Sequence, residues 1–377
     1  MMRNISIAVK PTLSCNIGCK HCYHADEKGP EVMSYGTLER VVRLASEEYG
    51  SVWFIWHGGE PLLVPLSFYK NAMKLQEKYF GKDSHRVGNT IQTNGTLIDK
   101  RFMNFCRERK INVGVSSEGP YSSVLRGKAC ADDMLDMMRR EGYMFSVSST
   151  VCRSTVKDMM NIYDHFMGKG MALSFSPVIC SGSAGKDMVP DADEYADASI
   201  RVFDKWLYDK DADMPLMPHL MYMMSALGRP QRSDCAHSSC LMNWISVYPN
   251  GDLYPCAKGC PQKFRLGNIG EMSKLSDAFA SDAFGEMLNA SVERREKCAS
   301  GCGLYRYCAG GCSVDALSEG SMEENGGNSC KVFKKVFSHI LAETERILNE
   351  RPDLSQFNKF VREAVIGKLV SPDMPNV

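Results

Sequence analysis

The chain has 377 residues, enough for one large domain and a smaller one, and 44% of them are hydrophobic, so a sizeable core can form. Lysine plus arginine and aspartate plus glutamate are equal at 45 each, a neutral balance that argues against bulk binding to nucleic acid or to an anionic membrane. The start MMRNISIAVK has no apolar signal core, and the longest aromatic–aliphatic run, Val52 to Trp56, is far too short to span a bilayer, so a cytoplasmic protein is expected.

Along the first half, short apolar runs alternate with helical stretches. Strands are expected at residues 5–9, 52–56, 90–93, 112–116, 145–151 and 172–176. Helices are expected between them at 35–49, 66–80, 99–109, 132–141 and 156–167. This alternation predicts βαβ units and a parallel sheet, hence an α/β protein. Residues 187–193 are acidic and contain Pro190, which suits a connection before a helix at about 195–207. Residues 233–330 read as loop-rich, with only short apolar runs and nine of the sixteen cysteines. Residues 331–349 read as one amphipathic helix with Val332, Phe333, Val336, Phe337, Ile340 and Leu341 on its apolar face, and the tail SPDMPNV as frayed. The expected division is a first domain at 1–186, a helical connection at 187–232, a cysteine-rich domain at 233–330, and a helix with its tail at 331–377.

Sixteen cysteines in a chain without a secretory signal point to metal or catalysis rather than disulfides. Cys15, Cys19 and Cys22 form C-x3-C-x2-C directly after the first strand. Three thiolates leave one iron of a four-iron cluster free of protein ligands, and that iron can take the amino and carboxylate groups of S-adenosylmethionine (SAM). A zinc site is the alternative, with His21 or His24 as the fourth ligand. The second strand ends in Gly58-Gly59-Glu60-Pro61, where glycines permit close backbone approach and Glu60 can accept from an ammonium.

The cysteine motif together with GGEP resembles the radical SAM superfamily. Gln92-Thr93-Asn94-Gly95 and Gly114-Val115-Ser116-Ser117-Glu118-Gly119 match the same family at later strand ends. The resemblance implies a partial (β/α)6 TIM-like barrel with its site at the C-terminal ends of the strands. It places His21 near the adenine and Gly58, Gly59 and Glu60 at the SAM amino group. Gln92 and Asn94 fall in the matching cofactor segments. Ser116 would contact the ribose or carboxylate, with Glu118 close by, and Arg126 is the candidate partner of the SAM carboxylate.

Downstream stand Cys235, Cys240, Cys256, Cys260, Cys298, Cys302, Cys308, Cys312 and Cys330. Gly251-x4-Cys256, Cys302-x5-Cys308-x3-Cys312 and the final Cys330 resemble the SPASM domain of peptide-modifying radical SAM enzymes; Cys298-x3-Cys302 departs from that pattern by one residue. Carried over by position, Cys235, Cys240, Cys256 and Cys312 would hold one auxiliary cluster, and Cys298, Cys302, Cys308 and Cys330 a second. The expected cofactors are therefore three [4Fe-4S] clusters and SAM. Two zinc sites remain the alternative for the second field. Cys260, Cys106, Cys130, Cys152 and Cys180 are left as packed thiols.

The overall layout resembles anaerobic sulfatase-maturing enzymes, which oxidise a Cys or Ser to formylglycine. Those enzymes usually carry Gln before GGEP and Asp after the Gly-x4-Cys cysteine; here the positions hold His57 and Ala257. The departure favours a maturase that cross-links or otherwise oxidises a ribosomally made peptide, with sulfatase maturation and a non-enzymatic electron carrier as alternatives. Glu118 or Tyr23 is the candidate acid/base. The expected partners are a peptide or protein substrate, an external one-electron reductant such as a flavodoxin or ferredoxin, and a separate leader-binding protein.

Overall fold

A computed structural model of the chain describes residues 3–25, 31–82, 85–127, 131–169, 172–229, 240–258 and 261–370. Six parallel strands form in the expected places: β1 (Asn4–Thr12), β2 (Ser51–Gly58), β3 (Val87–Thr93), β4 (Asn112–Ser116), β5 (Ser146–Val151) and β6 (Ala172–Pro177). Between them run α1 (Tyr35–Glu48), α2 (Leu66–Phe80), α3 (Lys100–Arg109), the short α4 (Ser122–Arg126) with α5 (Asp132–Arg140), and α6 (Met159–Phe166). Strand order follows chain order, the arrangement of a partial (β/α)6 barrel.

Period-2 alternation explains which side of each strand is packed. Ile5, Ile7 and Val9 of β1, Val52, Phe54 and Trp56 of β2, and Val147 and Val151 of β5 lie buried under the helices. The opposite side of β3 to β6 carries Thr90, Gln92, Gly114, Ser116, Ser146, Ser148, Thr150, Ser174 and Ser176. A closed (β/α)8 barrel fills that interior with branched aliphatic side chains. Here small hydroxyl residues leave it open.

Past β6 the chain continues through α7 (Ala192–Tyr208), a two-residue strand β7 (Leu216–Met217) beside β6, and α8 (His219–Ala226). The cysteine-rich segment is more regular than the sequence suggests. Strand β8 (Trp244–Val247) pairs in parallel with β1, so the sheet runs unbroken from the barrel into this segment. It continues antiparallel through β9 (Asp252–Tyr254) and β10 (Gly267–Asn268). A twenty-residue helix, α9 (Asp282–Gly301), leads into α10 (Tyr305–Cys308) and α11 (Ser313–Ser318). Ile245, Val247, Leu253, Phe264, Leu275 and Phe284 are buried there and join the barrel's own core.

The C-terminal helix α12 (Asn328–Glu350) buries Phe333, Val336, Phe337 and Ile340 as its apolar periodicity predicts. It lies against α7, where His339 meets Asp204 at 2.6 Å. A further helix, α13 (Lys359–Val370), was not anticipated from the sequence. Residues 371–377, expected to fray, lie outside the described residues. No helix among the described residues is long and apolar enough to cross a membrane.

Candidate functional site

One cavity of about 1150 Å³ opens at the C-terminal ends of the barrel strands and extends to the second cysteine field. Cys15, Cys19 and Cys22 line one part of it; Cys298, Cys302, Cys308, Cys312 and Cys330 line another.

The N-terminal cysteine loop is held by close backbone packing. Gly59 N–H donates to the Thr12 carbonyl at 3.0 Å and Glu60 N–H to the Ser14 carbonyl at 2.8 Å. A Cβ on Gly59 would lie 2.1 Å from Ser14 O, and one on Gly58, whose φ is +119°, 2.5 Å from Thr12 O. Both positions therefore require glycine, and the constraint comes from the loop leading into Cys15. Lys20 N–H reaches the Leu125 carbonyl at 2.9 Å, and Ser183 N–H reaches that of Cys22 at 2.9 Å. Asn94 Nδ2 approaches Cys15 Sγ at 3.9 Å, and Arg126 Nη1 approaches Cys19 Sγ at 3.8 Å. Burial raises the Cys19 thiol, Arg126 opposes that shift, and Cys22 and Cys15 add to it.

Seven of the expected cofactor residues line this end of the cavity: His21, Gly58, Gly59, Gln92, Asn94, Ser116 and Arg126. Gln92 Nε2 donates to Ser116 Oγ at 2.9 Å, across the space that Gly114 leaves free. His21 is held neutral, its pKa lowered to about 4 by burial and then by Arg126.

Two expected roles meet geometry that opposes them. Glu60 is fully buried, and its carboxylate accepts from Thr93 Oγ1 at 2.7 Å, Asn94 N–H at 2.8 Å and Leu62 N–H at 3.0 Å. It ties the ends of β2 and β3 together and does not line the cavity. Glu118, expected as an acid/base, is fully buried and accepts two bonds from Arg126, at 2.7 and 2.5 Å, and one from Thr150 N–H at 3.1 Å. With both oxygens committed and no face on the cavity, Glu118 orients Arg126 instead.

Tyr23, His24, His57 and Ala257 also line the cavity. His57 Nδ1 accepts from Gly58 N–H at 2.7 Å, which leaves Nε2, 3.3 Å from the Tyr23 hydroxyl, to carry the proton of a neutral ring. Burial first, then His24 and Lys10, lower its pKa to about 3.

The second field divides by proximity. The Cys308 thiol is pushed up to about 12 by burial and then by Cys330, Cys298 and Cys302. The Cys240 thiol is pushed up to about 11 by burial and then by Cys256, and Cys256 also raises Cys312. Cys235, expected in the latter group, lies outside the described residues, as do Cys130 and Cys260. Cys106 and Cys152 are buried, whereas Cys180 lines the cavity.

The fit to clusters rests on this grouping and on charge. Cations face the thiols: Arg126 near Cys19, Lys258 near Cys312 and Cys256, and Arg294 near Cys312, Cys298 and Cys308. Lys258 Nζ also meets Asp315 Oδ1 at 2.5 Å. Sequence reasoning missed Lys258, Asp315 and Arg294; the only signal was their spacing from cysteines, at Cys256+2, Cys312+3 and Cys298−4.

The sequence profile of the Radical SAM superfamily matches residues 9–148, and that of an iron–sulfur cluster-binding domain, SPASM, matches residues 235–303. The chain is 28% identical over 375 residues to the cysteine-type anaerobic sulfatase-maturating enzyme of Clostridium perfringens strain 13, covering 92% of this chain and 99% of that one. It is 27% identical over 354 residues to the serine-type anaerobic sulfatase-maturating enzyme of Klebsiella aerogenes, covering 87% and 83%. Native anSMEcpe with bound AdoMet superposes with a TM-score of 0.77 at 26% identity, covering 92% of this chain and all of that one. SuiB of Streptococcus suis bound to S-adenosylmethionine shares the fold, with a TM-score of 0.63 at 18% identity over 87% and 77%.

Proposed function

This chain belongs to the radical SAM superfamily and carries a SPASM iron–sulfur domain, and on that premise we propose that it oxidises a cysteine or serine side chain in a peptide or protein substrate. Its cofactors are [4Fe-4S] clusters and SAM. The similarity to enzymes of both the cysteine and serine types, over nearly the full length of one and most of the other, carries the reading and favours sulfatase-type maturation over the cross-linking reaction expected from the sequence.

In this reading Cys15, Cys19 and Cys22 hold the SAM-cleaving cluster. Held by three thiolates, such a cluster would keep one iron free for SAM and would supply the one-electron chemistry of reductive SAM cleavage. Cys235, Cys240, Cys256 and Cys312 would hold one auxiliary cluster, and Cys298, Cys302, Cys308 and Cys330 the other. Gln92 and Ser116 orient SAM, while Arg126, set by Glu118, takes its carboxylate. The hydroxyl-lined barrel interior gives the cosubstrate and one substrate side chain a shared, water-poor space. An external one-electron reductant of the flavodoxin or ferredoxin class recharges the first cluster.

A specific observation supports a second reading, a peptide cross-link. Ala257 lines the cavity without a proton-accepting side chain, and Glu118 is committed to Arg126. Anaerobic turnover with cysteine- and serine-containing peptides, followed by hydrazide labelling, separates the two. An aldehyde captured by hydrazide is the expected product. A peptide that loses two hydrogens and stays silent to hydrazide would establish the cross-link instead, and SAM cleavage without any change in peptide mass would defeat both.

A further inference from the structure

Arg294 sits in α9, one turn before Cys298, and is only 2% exposed. Its guanidinium stays charged at physiological pH, and a buried charge needs an opposite charge nearby. Among the described residues every hydrogen-bond acceptor it has is neutral. Nε donates to Gly310 O at 2.9 Å, Nη1 to Met322 O, and Nη2 to Ser313 Oγ at 2.9 Å and Gly311 O at 3.4 Å. Among the described residues no carboxylate forms an ion pair with it. Two other cations beside the thiols are compensated differently, Arg126 by Glu118 and Lys258 by Asp315, and Arg295 acts on Cys240.

The groups that favour the Arg294 charge are Cys312, Cys298 and Cys308, acting against burial and against Arg295. These thiols belong to two different groups: Cys312 goes with Cys256, and Cys298 and Cys308 go with Cys330 and Cys302. The acceptors Gly310 and Gly311 lie in the three-residue linker between Cys308 and Cys312. That linker curls through positive φ at Ala309, Gly310 and Gly311 (+50°, +86° and +73°), so its carbonyls turn towards α9. Arg294 thus stands at the seam where one thiol group gives way to the other.

We propose that Arg294 is the shared counter-ion of the two iron–sulfur clusters in the second cysteine field, fixed by the Cys308–Cys312 linker so that one positive charge biases both towards reduction. The proposal rests on the reading that those thiols carry clusters. A cluster bound by thiolates becomes more negative when it gains an electron, so a fixed cation beside it raises its reduction potential. Removing the charge should lower both potentials together, while the cluster at Cys15, Cys19 and Cys22, which has Arg126 beside it, stays where it was.

The test uses the reconstituted full-length holoenzyme as wild type, R294Q and R294K, with iron analysis followed by a redox titration monitored by electron paramagnetic resonance. Wild type should hold about twelve irons. In R294Q both C-terminal clusters should become at least about tenfold harder to reduce, about 59 mV for a one-electron couple. R294K keeps the charge and should shift them by less. Unmoved potentials, a shift confined to one C-terminal cluster, or an equal shift in R294K would overturn the proposal and leave Arg294 a backbone staple. If R294Q fails to retain its irons, R294M removes the charge in its place: the same paired shift of both C-terminal clusters supports the counter-ion, and unmoved potentials refute it. Wild type that saturates near four irons would overturn the cluster reading beneath the proposal, and the proposal with it.

Discussion

Ionisable side chains that leave water need compensation, and this chain compensates them in distinct ways. Arg126 and Lys258 have carboxylates. His219 instead stays neutral: it is 1% exposed, its Nε2 lies 2.7 Å from Ser199 Oγ, and burial lowers its pKa to about 4. The unfolded chain protonates this histidine near pH 6.5, while the folded chain resists until about pH 4. Its stabilisation is therefore fully present above pH 6.5 and is lost as the pH falls towards 4, by about 3 kcal/mol at most. Denaturant melts of wild type and His219→Gln between pH 7 and pH 4.5 should show a shallower pH dependence in the variant; parallel curves would refute the assignment. At this scale the cysteine motifs were legible because their spacing is local. The roles of Glu60 and Glu118 were not, because beside the nearby Leu62 and Arg126 their carboxylates also take distant partners, 33, 34 and 32 residues away at Thr93, Asn94 and Thr150.

Elements follow the same division between local and distant causes. The six barrel strands could be read from the sequence because each alternates, or nearly so, within its own few residues. Strand β8 could not, because four residues become a strand only by pairing with β1, nearly 240 positions earlier. Helix α9 was hidden by its polar composition, DAFGEMLNASVERREKCASG, and by Gly285. Helix α12 was plain from its apolar stripe, and it does more than close the molecule. Phe337 is 1% exposed, with ring centroids 5.0 Å from Phe333 and 4.6 Å from Tyr307, the residue before Cys308. Phe337→Ala should cost about 3–5 kcal/mol, as large core truncations do, and loosen the helix that presents Cys308. A thermal melt combined with iron analysis checks this: a lower midpoint with reduced iron retention is expected, and an unchanged midpoint would contradict the packing argument.

At the scale of the whole molecule, the apolar core decides what depends on metal. Residues 233–330 have only short apolar runs, yet those from Leu241 to Ala290 bury apolar side chains against the barrel core. Dependence should concentrate in residues 298–330, where short helices and glycine-rich turns present the thiols. Hydrogen exchange on metal-free protein should keep β1 and β8 protected and lose protection across 298–330. Uniform loss beyond residue 240 would make the whole segment metal-dependent, and full protection throughout would show that the thiols need no metal to stay arranged.

The parallel pairing of β8 with β1 reaches further than architecture. Ser6 to Val9 pair with Trp244 to Val247 on one side and with Trp53 to Trp56 on the other, a few residues before Cys15. A hinge between the barrel and β8 would have to break the sheet in its middle, so the barrel strands and the first strand of the cysteine-rich segment keep one fixed register and move as one body.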